Sequence, residues 1–391
     1  MAKLETEFLG MSFPNPFLLS SGPPTEGGEM IKEAFKAGWG GAVLKTVGLE
    51  PTRVPSPRLH ILKRGRTYRG MVNIELITQL PLERWQEELD LVRDAYPSRP
   101  IIASIMGGDN PDEWQEVVTR LEPYGVSAFE MNLSCPNIAG EEKGAQLGQD
   151  PESSALTISW VLEATELPVI VKLTPNVSDI VPLARAAKEA GAHAVTATNT
   201  LSGLAGIDLE TFSPLPSVDG LGMYGGYSGP GLKPVSLRFA ASIAKAVDIP
   251  IIGCGGIETW RDAAEYITVG ASLVQICSVV MWRGLGILNK LTRGLSAYLD
   301  DHGYSSLDDI KGKALPQIVT FADLDVSLRL LPEVDEEKCT GCELCVKACG
   351  AGAFQAIEMD GDLAVVSRDR CDGCGLCVGV CPVDAISMVD R

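Results

Sequence analysis

Eight of the chain's eleven cysteines fall in two short runs: Cys339, Cys342, Cys345 and Cys349, then Cys371, Cys374, Cys377 and Cys381. Both runs read C-x2-C-x2-C-x3-C, and the second repeats the first at an offset of 32 residues. Four soft thiolates are what an iron–sulfur cluster needs, and two-residue gaps let one loop wrap three corners of a cube. Structural zinc seldom uses three cysteines at this spacing, and a disulfide scaffold belongs to short secreted chains. The spacing therefore predicts two [4Fe–4S] clusters, which pass single electrons and do no bond chemistry on a substrate.

Residues 336–391 resemble a bacterial two-cluster ferredoxin. Pro382 follows the second run as the usual signature wants, whereas Gly350 follows the first where proline is usual. In such modules the fourth cysteine of each run ligates the other cluster. Cys339, Cys342, Cys345 and Cys381 are expected on one cluster, and Cys371, Cys374, Cys377 and Cys349 on the other.

A second set of chemically capable residues ends short apolar runs further upstream: Lys45-Thr46, Asn132 through Asn137, Lys172, Asn199-Thr200, Gly255-Gly256 and Cys277-Ser278. A buried lysine at position 172 needs an anionic partner; a reduced flavin, negative at N1 and O2, provides one, and so does a neighbouring carboxylate. Cys135 is a thiol that stays mostly protonated at pH 7, since cysteine titrates near about 8.5. It can act as a general acid or simply fill space as a small buried residue. Asparagine suits an imide ring, because its amide both donates and accepts. Cys254 and Cys277 read as structural, with the Cys277 backbone placed to help at a phosphate.

The elements that position these residues alternate. Apolar, β-branched runs occur at Phe17–Ser21, Ala42–Thr46, Ile101–Met106, Ala128–Ser134, Val169–Thr174, Ala194–Thr200, Ile251–Cys254 and Leu273–Ser278. Amphipathic helical stretches lie between them, at Glu29–Ala37, Trp85–Ala95, Asp112–Leu121, Ser153–Ala164, Val181–Ala190, Ser236–Ala246 and Thr259–Tyr266. Strands apolar on both faces and alternating with helices are parallel. Eight of them predict a (β/α)8 TIM barrel over residues 1–311; a doubly wound open sheet is the alternative. A connector over 312–335 and a small ferredoxin-like α+β domain over 336–391 follow. Barrel chemistry gathers at the C-terminal strand ends, with phosphate held after strands seven and eight. Gly255, Gly256, Cys277 and Ser278 stand there. Ser228 and Gly229, in the long loop Leu201–Lys233, could supply further amides; a tight turn is the plainer reading of the glycines.

These residues resemble a known family. NLSCPN, KLTPN, ATNT and the double glycine look like the flavin-dependent dihydroorotate and dihydropyrimidine dehydrogenase superfamily. FPNPF, LKT, SPR, NIELI, ASIM, NLSCP, GQDPE, KLTPNVSDI, ARAAKEAGA, ATNTLSG and the double-cluster tail follow one another as in the flavin and iron–sulfur part of dihydropyrimidine dehydrogenase. The resemblance implies FMN, with Lys172 against its N1/O2 edge and Lys45 as a second contact. It implies Cys135 as catalytic acid, and Asn73, Glu75, Asn132, Asn199 and Thr200 as the groups that hold a pyrimidine. Asn137 stands where the animal dihydropyrimidine enzyme has His and dihydroorotate dehydrogenases have Asn. The implied reaction is reduction of the C5=C6 bond of uracil or thymine, or its reverse. The alternatives are action on dihydroorotate or another cyclic unsaturated amide, and a non-catalytic electron-transfer subunit. Glu75 is expected to repel the carboxylate of orotate.

The 391 residues carry a formal net charge of −18, which disfavours nucleic acid and anionic membranes. No apolar run is long enough to span a bilayer, and the N-terminus lacks the features of a signal peptide, so the expected location is the cytoplasm. No G-x-G-x-x-G opens a helix after a strand. Electrons are therefore expected from a partner, most simply an NAD(P)H-oxidising FAD flavoprotein subunit, in a homo- or hetero-oligomer.

Overall fold

The computed structural model describes residues 2–133, 147–352 and 354–390. The chain divides into two units, Met1–Gln317 and Ile318–Arg391.

In the first unit, eight parallel strands close into a barrel: β1 (Phe17–Leu19), β2 (Gly41–Val43), β3 (Ile101–Ile105), β4 (Ala128–Asn132), β5 (Val169–Leu173), β6 (Ala194–Ala197), β7 (Ile251–Cys254) and β8 (Ala271–Ile276). Each predicted run overlaps one of these strands, with β2 and β8 beginning one and two residues earlier than predicted, and most strands stop before the polar residues that end the run. Helices follow the strands around the ring, and their starts are written in the sequence. Asn110 caps Pro111–Leu121 by accepting from the Glu113 N–H, and Asp150 caps Pro151–Leu162 by accepting from the Ser153 N–H. Thr259 and Asp262 form a reciprocal box at Trp260–Thr268, the arrangement that satisfies two orphan N–H groups at once.

Strand periodicity explains the interior. Leu18, Val43, Ile102, Ala128, Ile170, Ala194, Ile252 and Leu273, one from each strand, pack into an apolar floor closed by Phe8 and Phe13. Side chains two residues further on share the same face: Ser20, Lys45, Ser104, Glu130, Lys172, Thr196, Cys254 and Gln275, all buried. The alternate positions, such as Leu19, Ala103, Phe129 and Val171, join the core between strands and helices. The barrel is thus dry at its base and polar one layer higher.

A feature absent from the sequence reading walls the polar end. Leu59–Arg64, Thr67–Asn73, Gly225–Ser228 and Leu201–Gly203 form a four-stranded antiparallel sheet. Its strands come from the loops after β2 and β6. The segment read as a long Gly/Pro-rich connection is therefore partly strand.

In the second unit, helix Leu344–Ala351 carries Cys345 and Cys349 of the first cysteine run, and helix Leu376–Val380 carries Cys377 of the second and ends at Cys381. Leu330–Val334 pairs antiparallel with Ile386–Asp390, and Ile357–Asp360 with Leu363–Val366. The expected connector over 312–335 thus differs from the structure. The division falls after Gln317, and the connector's last residues are a strand of the small domain, because their hydrogen-bond partners lie at the C-terminus. Among the described residues no helix is long and apolar enough to cross a membrane.

Candidate active site

The polar layer of the barrel is built around the buried pair of Lys172 and Glu130. The Lys172 ammonium, on β5, lies 3.2 Å from Glu130 Oε1 on β4, and also donates to Ser20 Oγ (3.2 Å) and Gln275 Oε1 (3.0 Å). The other oxygen of Glu130 accepts from Thr196 Oγ1 at 2.7 Å and from Gln275 Nε2. The Lys172 side chain is 6% exposed and that of Glu130 is fully buried. Burial opposes the lysine's charge, but the Glu130 carboxylate outweighs it and holds the Lys172 pKa above its ordinary value. The neighbouring thiols contribute little at neutral pH. Burial raises the pKa of Cys254 and pushes that of Cys277 up to about 12, so both are protonated.

A raised lysine pKa stabilises the fold throughout neutral pH, and that contribution is lost only as pH rises through the folded pKa, above the ordinary 10.5. Removing one partner of a buried pair costs about 3–5 kcal/mol. Glu130→Gln is therefore expected to lower the stability of the flavin-free protein by that amount, read from the denaturant midpoint near pH 7. An unchanged midpoint would mean that Glu130 does not hold the Lys172 charge.

Above this layer, amides form a chain. Asn132 Nδ2 donates to Thr46 Oγ1 (3.0 Å), Asn199 Nδ2 donates to Asn132 Oδ1 (3.0 Å), and Asn199 Oδ1 accepts from the Thr200 N–H (2.8 Å). From the antiparallel sheet, Asn73 Nδ2 donates to the Gly226 carbonyl at 3.1 Å. Glu75 is held by two cations, Lys45 Nζ at 2.7 Å and Arg58 Nε at 2.8 Å, one on each carboxylate oxygen. Glu75 and Lys45 are buried, whereas Arg58 is 38% exposed. This alters the expected electrostatics. With both oxygens engaged, Glu75 presents no unopposed negative charge, and the trio carries a net positive one.

Lys45, Asn73, Glu75, Asn132, Lys172, Asn199, Thr200, Ser228, Gly229, Gly255, Gly256, Cys277 and Ser278 all line one cavity of about 1140 Å³, measured to its solvent-open mouth. Cys135 and Asn137 lie outside the described residues. Gly255 and Gly256 hold φ of +128° and +71°. A side chain at Gly256 would come within 2.7 Å of the Lys233 backbone nitrogen, and one at Gly229 within 2.7 Å of the Gly70 Cα. Bare backbone from two loops is therefore a requirement of the fold here. The cavity has a glycine cradle among its lining and the Lys172 ammonium in the polar layer beneath it.

Sequence reasoning missed Ser20, Glu130, Gln275 and Arg58. The first three could have been found by counting two residues from the apolar floor along each strand. Arg58 carried no such signal, because it is placed by the strand that follows it, Leu59–Arg64, which belongs to the unforeseen sheet.

In the second unit the cysteines gather across the two runs. Cys339, Cys342 and Cys345 line a cavity of about 340 Å³ together with Cys381, and Cys371, Cys374 and Cys377 line one of about 330 Å³ together with Cys349. Backbone N–H groups of Ala385 and Ala356 each lie 3.2 Å from the sulfur of a crossing cysteine, Cys381 and Cys349. N–H donors to sulfur favour the thiolate and tune cluster potential. Among the described residues no three His, Cys, Asp or Glu side chains are grouped closely enough to hold a single metal ion.

Residues 3–299 match the dihydroorotate dehydrogenase family model, and residues 332–388 match a 4Fe-4S dicluster domain. The chain is 38% identical over 359 residues to the NAD-dependent dihydropyrimidine dehydrogenase subunit PreA of Escherichia coli, covering 91% of this chain and 87% of that protein. It is 36% identical over 330 residues to the chloroplastic dihydropyrimidine dehydrogenase (NADP(+)) of Arabidopsis thaliana, covering 81% and 78%. The catalytic subunit of dihydroorotate dehydrogenase B (NAD(+)) from Pyrococcus abyssi is 40% identical over 313 residues, covering 80% and 99%.

Proposed function

The chain belongs to the dihydroorotate dehydrogenase family, as a flavin-dependent oxidoreductase with an iron–sulfur domain, and on that basis we propose that it reduces the C5=C6 bond of uracil or thymine at FMN, or runs the reverse reaction. Two [4Fe–4S] clusters would relay electrons from a partner flavoprotein that oxidises NAD(P)H. The observation that carries the substrate reading is the extent of likeness. The 359 residues aligned with the dihydropyrimidine subunit are more than the barrel unit, Met1–Gln317, contains and so take in part of the cluster unit, whereas the 313 aligned with the dihydroorotate subunit do not exceed the barrel unit's length.

The chain's own residues suit these roles. Gly229, Gly255, Gly256 and Ser278 would hold the phosphate of FMN, and Lys172 would face its electron-rich edge. When bound, FMN supplies hydride transfer. Asn132 uses one amide N–H on Thr46 and keeps the other for a ring carbonyl; Asn73, Asn199 and Thr200 add further donors and acceptors. Cys135 would deliver a proton to one ring carbon while hydride reaches the other. In the reverse direction it would remove that proton.

A second reading, action on dihydroorotate, draws support from the cations beside Glu75. Orotate carries a carboxylate that uracil and thymine lack. Two unopposed like charges at about 4 Å cost on the order of 4 kcal/mol at an effective dielectric near 20, but Lys45 and Arg58 offset much of that repulsion. Discrimination by Glu75 is accordingly weaker than the residue type alone implies. The expected result is that kcat/KM favours uracil and thymine over orotate in the wild type, with reduced methyl viologen as donor. Glu75→Gln, which frees both cations, should raise the orotate-to-uracil ratio at least about tenfold, equivalent to about 1.4 kcal/mol. If orotate is the best substrate of the wild type, the dihydropyrimidine reading is wrong. An unchanged ratio in Glu75→Gln would show that the carboxylate does not read ring charge.

A further inference from the structure

The glycine turn after β7 is held from behind by the helix it leads into. Helix Trp260–Thr268 carries Asp262 and Tyr266 four residues apart, and so on one side. Tyr266 is fully buried, and its hydroxyl donates to the Gly255 carbonyl at 2.8 Å. One turn earlier, Asp262 Oδ2 accepts from the Glu258 N–H at 3.0 Å and from the Thr259 N–H at 2.7 Å. The backbone from Gly255 to Thr259 is therefore gripped at both ends. The Asp262 contacts belong to the box that starts the helix. The Tyr266 contact has no such local purpose. It spans 11 residues and satisfies no orphan group of a helix end.

The sequence makes room for this contact. A side chain at position 253 would come within 2.5 Å of the Tyr266 ring, and one at position 255 would run into Ser236 Oγ. Gly253 thus lets the ring lie against β7, and Gly255 adopts a φ of +128° that other residues rarely reach. Burial raises the Tyr266 pKa well above its ordinary 10.0, so the phenol remains a donor across the neutral range.

What the hydroxyl fixes is the peptide plane between Gly255 and Gly256. That unit is planar and trans, so its N–H points opposite to its C=O. With the carbonyl drawn to Tyr266, the Gly256 N–H is turned away from the helix, toward the cavity that both glycines line and Tyr266 does not. This N–H has no hydrogen-bond partner among the described residues. Glycine on both sides of the plane leaves it free to rotate, and the tyrosine supplies the constraint that the glycines lack. We propose that Tyr266 is a positioning residue that presents the Gly256 N–H to the phosphate of the flavin, and so sets the preference for a phosphorylated flavin over a bare one. The proposal rests on the reading that Gly255 and Gly256 hold the FMN phosphate. An N–H already aimed at the anion makes a charge-assisted hydrogen bond, whereas a plane free to turn must first be ordered, at a cost to affinity. Riboflavin, which has no phosphate, gains nothing from the aim.

The test uses the full-length protein with its iron–sulfur domain intact, stripped of flavin and titrated with FMN or with riboflavin. Free flavin is separated by ultrafiltration and measured by fluorescence. Wild type should bind FMN more tightly than riboflavin. Tyr266→Phe keeps the ring that packs on Gly253 and removes only the hydroxyl. Its Kd for FMN should rise at least about tenfold, the scale expected when a buried carbonyl loses its one donor, while its Kd for riboflavin should change less than about twofold. A parallel rise in both constants would mean that the hydroxyl supports the fold at large, and would overturn the proposal. An FMN preference that survives unchanged in Tyr266→Phe would overturn it alone, leaving the glycine cradle in place. Wild type that holds riboflavin as tightly as FMN would overturn the cradle reading and the proposal together.

Discussion

Cys135→Ala is expected to retain flavin and iron yet to turn over pyrimidine about 10²–10⁴-fold more slowly, the range a positioned general acid contributes. The reduction needs a proton at one ring carbon, and the described cavity offers few groups able to give one. Lys172 is committed to Glu130, Ser20 and Gln275. Cys254 and Cys277 are thiols in the same cavity, but burial raises both pKa values, that of Cys277 to about 12. An acid so far from neutrality is poorly matched to proton transfer at pH 7, and Cys254 lies 3.8 Å from Ser20 Oγ in the polar layer. Cys135 stands three residues in sequence after Asn132, the last residue of β4 and a cavity-lining amide. Cys135→Ser should also be slow, since a hydroxyl is a weaker acid than a thiol. The measurement is single-turnover reduction of uracil with flavin and iron content confirmed in the same sample. Near wild-type rates in the alanine variant would assign the proton to another group, and a parallel loss in Cys277→Ala with Cys135 intact would point to which.

What could be read from the residues follows from how local the causes are. The barrel was legible because each strand is buried on both faces and so announces itself as a short apolar run. The cavity-lining lysines and amides were legible because they end those runs. The polar layer holding Glu130 and Gln275 was available in principle, since period-two geometry places them above Ala128 and Leu273. The sheet at the mouth was not. Gly226 and Ser228 have no strand character of their own; they are extended because they pair with Asn73 and Met71, more than 150 positions earlier. Arg58 was overlooked for the same reason, and with it the neutralisation of Glu75. Similarly, Leu330–Val334 looked like a connector because its partner, Ile386–Asp390, is at the far end of the module. Long-range pairing is what a one-dimensional pattern does not display.

Removing Cys339 and Cys381 together is expected to cost one cluster, not two. The wild type should carry about eight non-haem irons per chain, from two four-iron clusters. The two cysteines belong to different runs, so ligation within each run would place one on each cluster, and the double substitution would damage both. The structure instead puts Cys381 in the cavity of Cys339, Cys342 and Cys345, and Cys349 in that of Cys371, Cys374 and Cys377. Under that crossing, Cys339→Ala/Cys381→Ala empties one cavity and leaves four ligands intact in the other. About four irons should remain, with the spectrum of a single [4Fe–4S] centre. Cys339→Ala/Cys349→Ala, whose cysteines share a run but not a cavity, should disrupt both. Turnover with a physiological flavoprotein donor should be abolished in each variant, because a relay missing one centre is broken. Cys345 and Ile386 belong to the same small core, so some loss of stability accompanies either change, but that loss affects both pairs alike and leaves the contrast in iron content. Four irons in the second pair and few or none in the first would show that each run holds its own cluster.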